Sequence, residues 1–210
     1  MDYRLIGRIW RRDVSVWTAD PTGETAQSIS NRLGWLDVPT GMPPELPRVE
    51  ALADEVREAG VSTVYLLGMG GSSLCAEVMR SVYGTREGYP EMVVMDTTDE
   101  AAIHGALARL DAKRTLFLVA SKSGGTVEPA SMEKLFWQHV SAACGADAGR
   151  QFVAVTDPGT ELAHLATSRG YRKVFLNPPD IGGRFSALSL SGDSGSATST
   201  GRGCPESPRL

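Results

Sequence analysis

The sequence predicts an α/β fold: a three-layer sandwich around a five-stranded parallel sheet, preceded by an irregular, partly helical N-terminal segment. Three observations predict it. Short, continuously apolar runs recur at 62–68, 92–96, 115–120, 152–156 and, more weakly, 173–176, as expected for strands buried on both faces. Stretches of helical length separate them, at about 73–83, 99–110, 127–143 and 160–168. Strands alternating with such helices imply βα units, right-handed crossovers and a parallel sheet. Finally, the first and third runs lead into Gly/Ser-rich turns, where open α/β sheets hold their ligands. The pattern leaves the strand order open, with a flavodoxin-like or Rossmann-like order as the default.

Taken in order, residues 1–47 form an N-terminal extension expected to pack on the domain. Its first twelve residues are basic, with Asp2 and Asp13 interrupting the basic face, and read as an amphipathic segment that packs Leu5, Ile9 and Trp10. The Pro-rich stretch at 39–47 reads as a loop, because proline is excluded from helix interiors. Val49, Leu52, Ala53 and Val56 then follow helical spacing, and Gly60 ends that helix. The domain proper occupies 48–190. After Leu190 the composition turns abruptly to Ser, Gly, Thr and Pro, so 191–210 is expected to be disordered and reads as a non-native tail left by a frameshift or premature stop.

Across 210 residues the net charge is −4, which gives no footprint for nucleic acid or a membrane surface. No apolar run approaches the roughly 20 residues of a membrane span. Cys75, Cys144 and Cys204 lie far apart without paired spacing and read as reduced thiols of a cytoplasmic protein. An anionic ligand therefore has to be held by local donors.

Two turns supply such donors. Gly68-Met-Gly-Gly-Ser-Ser73 follows the first strand and opens a helix; its glycines let backbone approach a ligand, and Ser72 and Ser73 add hydroxyls. The same residues also suit a tight turn with a serine N-cap. Ser121-Lys-Ser-Gly-Gly-Thr126 follows the third strand and offers three hydroxyls, an ammonium and two glycines at another helix start, which suits an anion better than a plain polar turn capped by Thr126. A third segment, 177–186, brings Arg184 towards the same edge, where a guanidinium could neutralise charge developing on a substrate oxygen. A dinucleotide site competes with this reading, since Gly68 and Gly70 follow a strand and Asp96 closes the next one. However, Ser73 stands at the third glycine position, and such a site gives no use for the second hydroxyl-rich turn.

Together, Leu67-Gly-Met-Gly-Gly-Ser-Ser73, Ser121-Lys-Ser-Gly-Gly-Thr-Val-Glu-Pro129, Thr156-Asp-Pro-Gly159 and Asp180-Ile-Gly-Gly-Arg-Phe-Ser186 resemble the sugar isomerase (SIS) fold, and within it the glucose-6-phosphate isomerase family. The opening, from Arg8-Ile-Trp-Arg-Arg-Asp13 to Asn31-Arg-Leu-Gly-Trp-Leu36, resembles the bacterial form that is sometimes fused behind a transaldolase.

The resemblance implies a sugar phosphate as ligand, aldose–ketose isomerisation through an enediolate, no metal or organic cofactor, and a candidate homodimer in full-length members. It implies that Ser121, Ser123 and Thr126 bind the phosphate, that Lys122 lies near the substrate, and that Gly71 and Ser72 contact the sugar. Arg184 would steady the enediolate, and Glu128 would support the site from behind. Gly125 departs from the family's frequent threonine and Pro129 lacks a hydroxyl.

The family's glutamate base, histidine and further lysine all follow the Gly-Gly-Arg motif, and no match to them is found here. His104, His139 and His164 precede that motif on predicted helices and read as ordinary helix residues. The chain is therefore expected to bind sugar phosphate with negligible turnover. Two other readings stand beside this: a non-catalytic sugar-phosphate-sensing SIS module, and an NAD(P)-binding oxidoreductase.

Overall fold

The computed structural model describes residues 3–190. The tail at 191–210 and Cys204 lie outside the described residues.

Five strands, β1 (Thr63–Gly68), β2 (Glu91–Met95), β3 (Thr115–Ala120), β4 (Phe152–Thr156) and β5 (Lys173–Leu176), form one sheet in the order 2-1-3-4-5. Every pairing is parallel. This is the flavodoxin-like order, whose direction reverses between β1 and β3. The two strands pair in register to their ends, Gly68 opposite Ala120, so the turns that follow them leave the sheet side by side.

Alternate strand residues feed two separate cores. On one face Val64, Leu66, Leu116, Leu118, Val153 and Val155 pack with Val49, Leu52 and Val56 of α4 (Leu46–Glu58) and Ala76 of α5 (Leu74–Tyr83). On the other, Tyr65, Leu67, Phe117, Val119, Phe152 and Ala154 pack under α6 (Glu100–Ala108), α7 (Val127–Cys144) and α8 (Glu161–Ser168). Both faces are covered, which is why the strands read as unbroken apolar runs. The second core is built on stacked rings: Phe117 lies 4.7 Å from Phe136 and 5.0 Å from Phe152, and Tyr171 continues the stack at 5.2 Å from Phe152. Within it sits one charge, Glu133 of α7, which accepts from the Tyr171 hydroxyl and pairs with Arg169.

The N-terminal segment differs from expectation in two respects. The Pro-rich stretch is helical: α3 (Val38–Gly41), a 3₁₀ turn at Pro43–Glu45 and the start of α4 follow one another, each with proline at its first or second position. Proline is harmless there, since that N–H has no intrahelical partner. The first helix, α1 (Tyr3–Trp10), also does not pack as predicted, because Leu5 and Trp10 are exposed. Polar contacts anchor this end instead: Arg8 pairs with Asp13 at 2.7 Å, and Arg12 pairs with Asp37 and Asp180. A further helix, α2 (Glu24–Ser30), leads into an antiparallel bridge between Leu33 and Ile181. No helix among the described residues is long and apolar enough to cross a membrane.

Candidate functional site

The carboxyl ends of β1, β3, β4 and β5 carry the four quoted motifs, and main-chain bonds step across them beyond the strands. Ser121 N donates to Val155 O at 3.0 Å, Asp157 N to Lys122 O at 3.2 Å, and Asn177 N to Thr156 O at 2.8 Å. The turns after β3, β4 and β5 are thus joined through their main chains.

In the β3 turn, Ser121 is buried and its hydroxyl donates to the Thr126 hydroxyl at 3.2 Å, while Ser123 is exposed. Gly124 has φ +69°, and a β-carbon there would fall 2.6 Å from the Thr160 side chain at the start of α8. Only glycine lets this turn fold against α8. Thr126 occupies the N-cap position of α7 but does not cap it with its side chain. The first-turn N–H groups of this 18-residue helix therefore face the rim without a side-chain cap, an arrangement that suits an anion. Glu128 lies in that first turn, half-buried.

In the β1 turn, Gly70–Ser72 forms a 3₁₀ turn, and the buried Ser73 hydroxyl donates to Gly70 O at 3.2 Å rather than capping α5. Gly71 packs on the Gly183 backbone, where a β-carbon would fall 2.2 Å from the carbonyl oxygen. Ser186 Oγ, lying within reach of both Gly183 O (2.7 Å) and Gly71 O (3.3 Å), ties the two turns together. Arg184, in the 3₁₀ stretch Gly183–Leu188, is exposed, and its guanidinium has no ion pair among the described residues.

Four of the predicted site residues line two separate spaces, and Gly71, Ser123, Glu128 and Arg184 line neither. Ser72 and Lys122 line a narrow cleft with Asp157, Gly183 and Ser186. Ser121 and Thr126 line a separate cavity of about 240 Å³ between α7 and α8, walled by Leu162, Leu165 and Glu133. Lys122 Nζ is already engaged: it pairs with Asp157 and donates to Pro179 O at 2.7 Å, joining the turns after β3, β4 and β5. Asp157 is a further candidate in this cleft, beyond the residues that the motifs single out. Burial raises its carboxyl from the ordinary aspartate value, against the opposing pull of Lys122. An acid after a strand end in Thr156-Asp-Pro-Gly159, facing a lysine motif after the neighbouring strand, was the available signal.

The three histidines sit away from this rim. His104 is exposed beside Glu100, His139 contacts Leu135 O at 2.9 Å one turn back on α7, and His164 is exposed on α8.

Residues 55–199 match the family model for phosphoglucose isomerase. Among curated relatives, the glucose-6-phosphate isomerase of Staphylococcus epidermidis is 34% identical over 76% of this chain and 38% of its own length. That of Campylobacter jejuni is 32% identical over 63% of this chain and 32% of its own length. Among solved structures, a hypothetical protein from Thermus thermophilus superposes with a TM-score of 0.74 at 31% identity, covering 93% of this chain and 44% of that one. A glucose-6-phosphate isomerase from Chlamydia trachomatis superposes with a TM-score of 0.67 at 29% identity, over 92% and 35% of the two chains. The chain thus spans about a third of the length of the curated relatives it matches. With its parallel sheet, its four rim motifs and the family model covering most of its length, this chain belongs to the phosphoglucose isomerase family.

Proposed function

We propose that this chain is the sugar-phosphate-binding portion of a cytoplasmic glucose-6-phosphate isomerase, which interconverts glucose 6-phosphate and fructose 6-phosphate. The observation that carries the reading is the in-register pairing of β1 with β3, which sets two Gly/Ser turns side by side at the reversal point of the sheet. In this reading Ser121, Ser123, Thr126 and the N-terminus of α7 receive the phosphate. Gly71 and Ser72 meet the sugar, Lys122 lies near the substrate with its charge shared by Asp157, and Glu128 supports the α7 end. Isomerisation moves a proton between C2 and C1 through an enediolate, and Arg184 is free to stabilise the negative charge that develops on its oxygens. The chemistry also requires a general base, and no described residue on the rim matches the family's base. The chain accordingly binds substrate without appreciable turnover.

Titrating the 210-residue protein with fructose 6-phosphate and NAD in parallel, alongside a coupled isomerase assay, tests this reading. Saturable fructose 6-phosphate binding with negligible turnover is expected. NAD binding in its place would overturn the sugar-phosphate assignment, and turnover at the rate of an intact isomerase would overturn the missing base.

A further inference from the structure

We propose that Arg12 is a positioning residue for Arg184, so that the N-terminal segment belongs to the substrate-binding machinery. The inference rests on the isomerase reading above and extends it to residues outside the α/β domain.

Arg12 is the one non-glycine residue with positive φ among the described residues, at +54°. It lies just beyond α1, where Arg12 N donates to Ile9 O at 2.8 Å and Asp13 N to Arg8 O at 3.0 Å. This is the Schellman ending, whose left-handed position strongly favours glycine. An arginine there bears a conformational cost that glycine would avoid. Its side chain accounts for the choice: the guanidinium pairs with Asp37 of its own segment and reaches Asp180, 3.1 Å away, across 168 positions of sequence. Asp180 opens the Asp-Ile-Gly-Gly-Arg turn and stands four residues before Arg184.

The same turn is gripped at successive positions. Gly34 N donates to Asp180 O at 2.9 Å, and a β-carbon on Gly34 would fall 2.2 Å from the Asp180 carboxylate. Leu33 bridges Ile181, and the ring of Trp35 stacks on that of Phe185 at 5.8 Å. Arg184 therefore projects from a turn held on either side, at Asp180–Ile181 and at Phe185, while its own guanidinium stays unpaired among the described residues. A ligand that places negative charge opposite Arg184 gains from this fixed geometry, because little side-chain and loop ordering remains to be done on binding.

The test uses the full 210-residue chain and three probes: inorganic phosphate, fructose 6-phosphate and 5-phosphoarabinonate, whose planar carboxylate carries negative charge as an enediolate does. Arg12→Gly keeps the left-handed turn and relieves its strain while removing two partly exposed ion pairs, so the unfolding midpoint is expected to stay close to the parent's. Its affinity for 5-phosphoarabinonate is expected to fall roughly tenfold, the scale of one lost charge-assisted contact. Affinity for inorganic phosphate, which needs only the β3 turn, should change less than about twofold. Arg12→Lys should recover part of the loss. In the background of Arg184→Ala, Arg12→Gly should have no further effect on 5-phosphoarabinonate.

Full 5-phosphoarabinonate affinity in Arg12→Gly would overturn the inference while leaving the isomerase reading intact. An equal loss for all three probes with a lowered midpoint would also overturn it, by showing a general structural role. Failure of the unmutated chain to bind any of the probes would sink the isomerase reading and this inference with it.

Discussion

Gly71 lies against Gly183 so closely that a β-carbon on it would fall 2.2 Å from the Gly183 carbonyl oxygen. The first ligand turn and the Arg184 turn are thus two parts of one backbone contact. Gly71→Ala is expected to force them apart, costing about 1–3 kcal/mol as overpacking against rigid main chain does. It should also weaken sugar-phosphate binding by displacing Arg184. Urea unfolding and a fructose 6-phosphate titration check both effects; an unchanged midpoint would show that the turns separate freely.

The hydroxyls of the β3 turn should matter for binding more than for folding. Thr126→Ala removes a hydroxyl that does not cap α7 and whose partner is Ser121. We expect phosphate affinity to fall about tenfold, the cost of one hydrogen bond to a charged group, with stability within about 1 kcal/mol of the parent. Ser123→Ala, at an exposed position, should lower affinity in the same direction with no change in stability. Calorimetry with inorganic phosphate measures both.

Asp157 gives a pH signature. Burial raises its carboxyl above the ordinary value, so the folded state holds this proton more tightly than the unfolded chain does. Its contribution to stability is therefore fully present in acid and is lost as pH rises through the folded-state value. Asp157→Asn should remove that loss, so that the parent's stability falls relative to the variant's over the range of pH above about 4, the ordinary carboxylate value. The substitution also lifts the neutralising charge from Lys122, and phosphate should bind more tightly at pH 7. Denaturation across that range and a phosphate titration provide the two readouts.

The buried cluster under α7 gives an alkaline signature. Burial and the adjacent Glu133 carboxylate push the Tyr171 hydroxyl well above its ordinary range. Stability from this group is present below the unfolded tyrosine value of about 10 and is lost as pH rises beyond it towards the folded value. Tyr171→Phe should lack this alkaline decline. Glu133→Ala leaves Arg169 without its partner and is expected to cost about 3 kcal/mol, measured by urea unfolding at neutral pH.

The inner strands were legible because burial on both faces leaves short unbroken apolar runs, too short for a helix: Thr115–Ala120 is buried throughout, and every residue of it is apolar or a bonded threonine. The order of the strands was not legible, since apolar runs carry no record of their neighbours. The place of the β3 turn at a helix start was legible, because glycines and hydroxyl residues end the apolar run there and α7 begins directly after Thr126. The engagement of Lys122 by Asp157 and Pro179 was not, because it depends on three turns that only the sheet brings together. Residues 39–47 misled for a local reason: proline forbids a helix interior but favours a helix start, and three starts in succession look like a loop.

The central claim, that the β1 and β3 turns hold a sugar phosphate, is tested most directly by following backbone amide NMR shifts of the labelled protein during a fructose 6-phosphate titration. Saturating shifts concentrated in residues 68–73 and 121–128 are the predicted result. Their absence, or shifts elicited by NAD instead and centred on Gly68, Gly70 and Asp96, would contradict it.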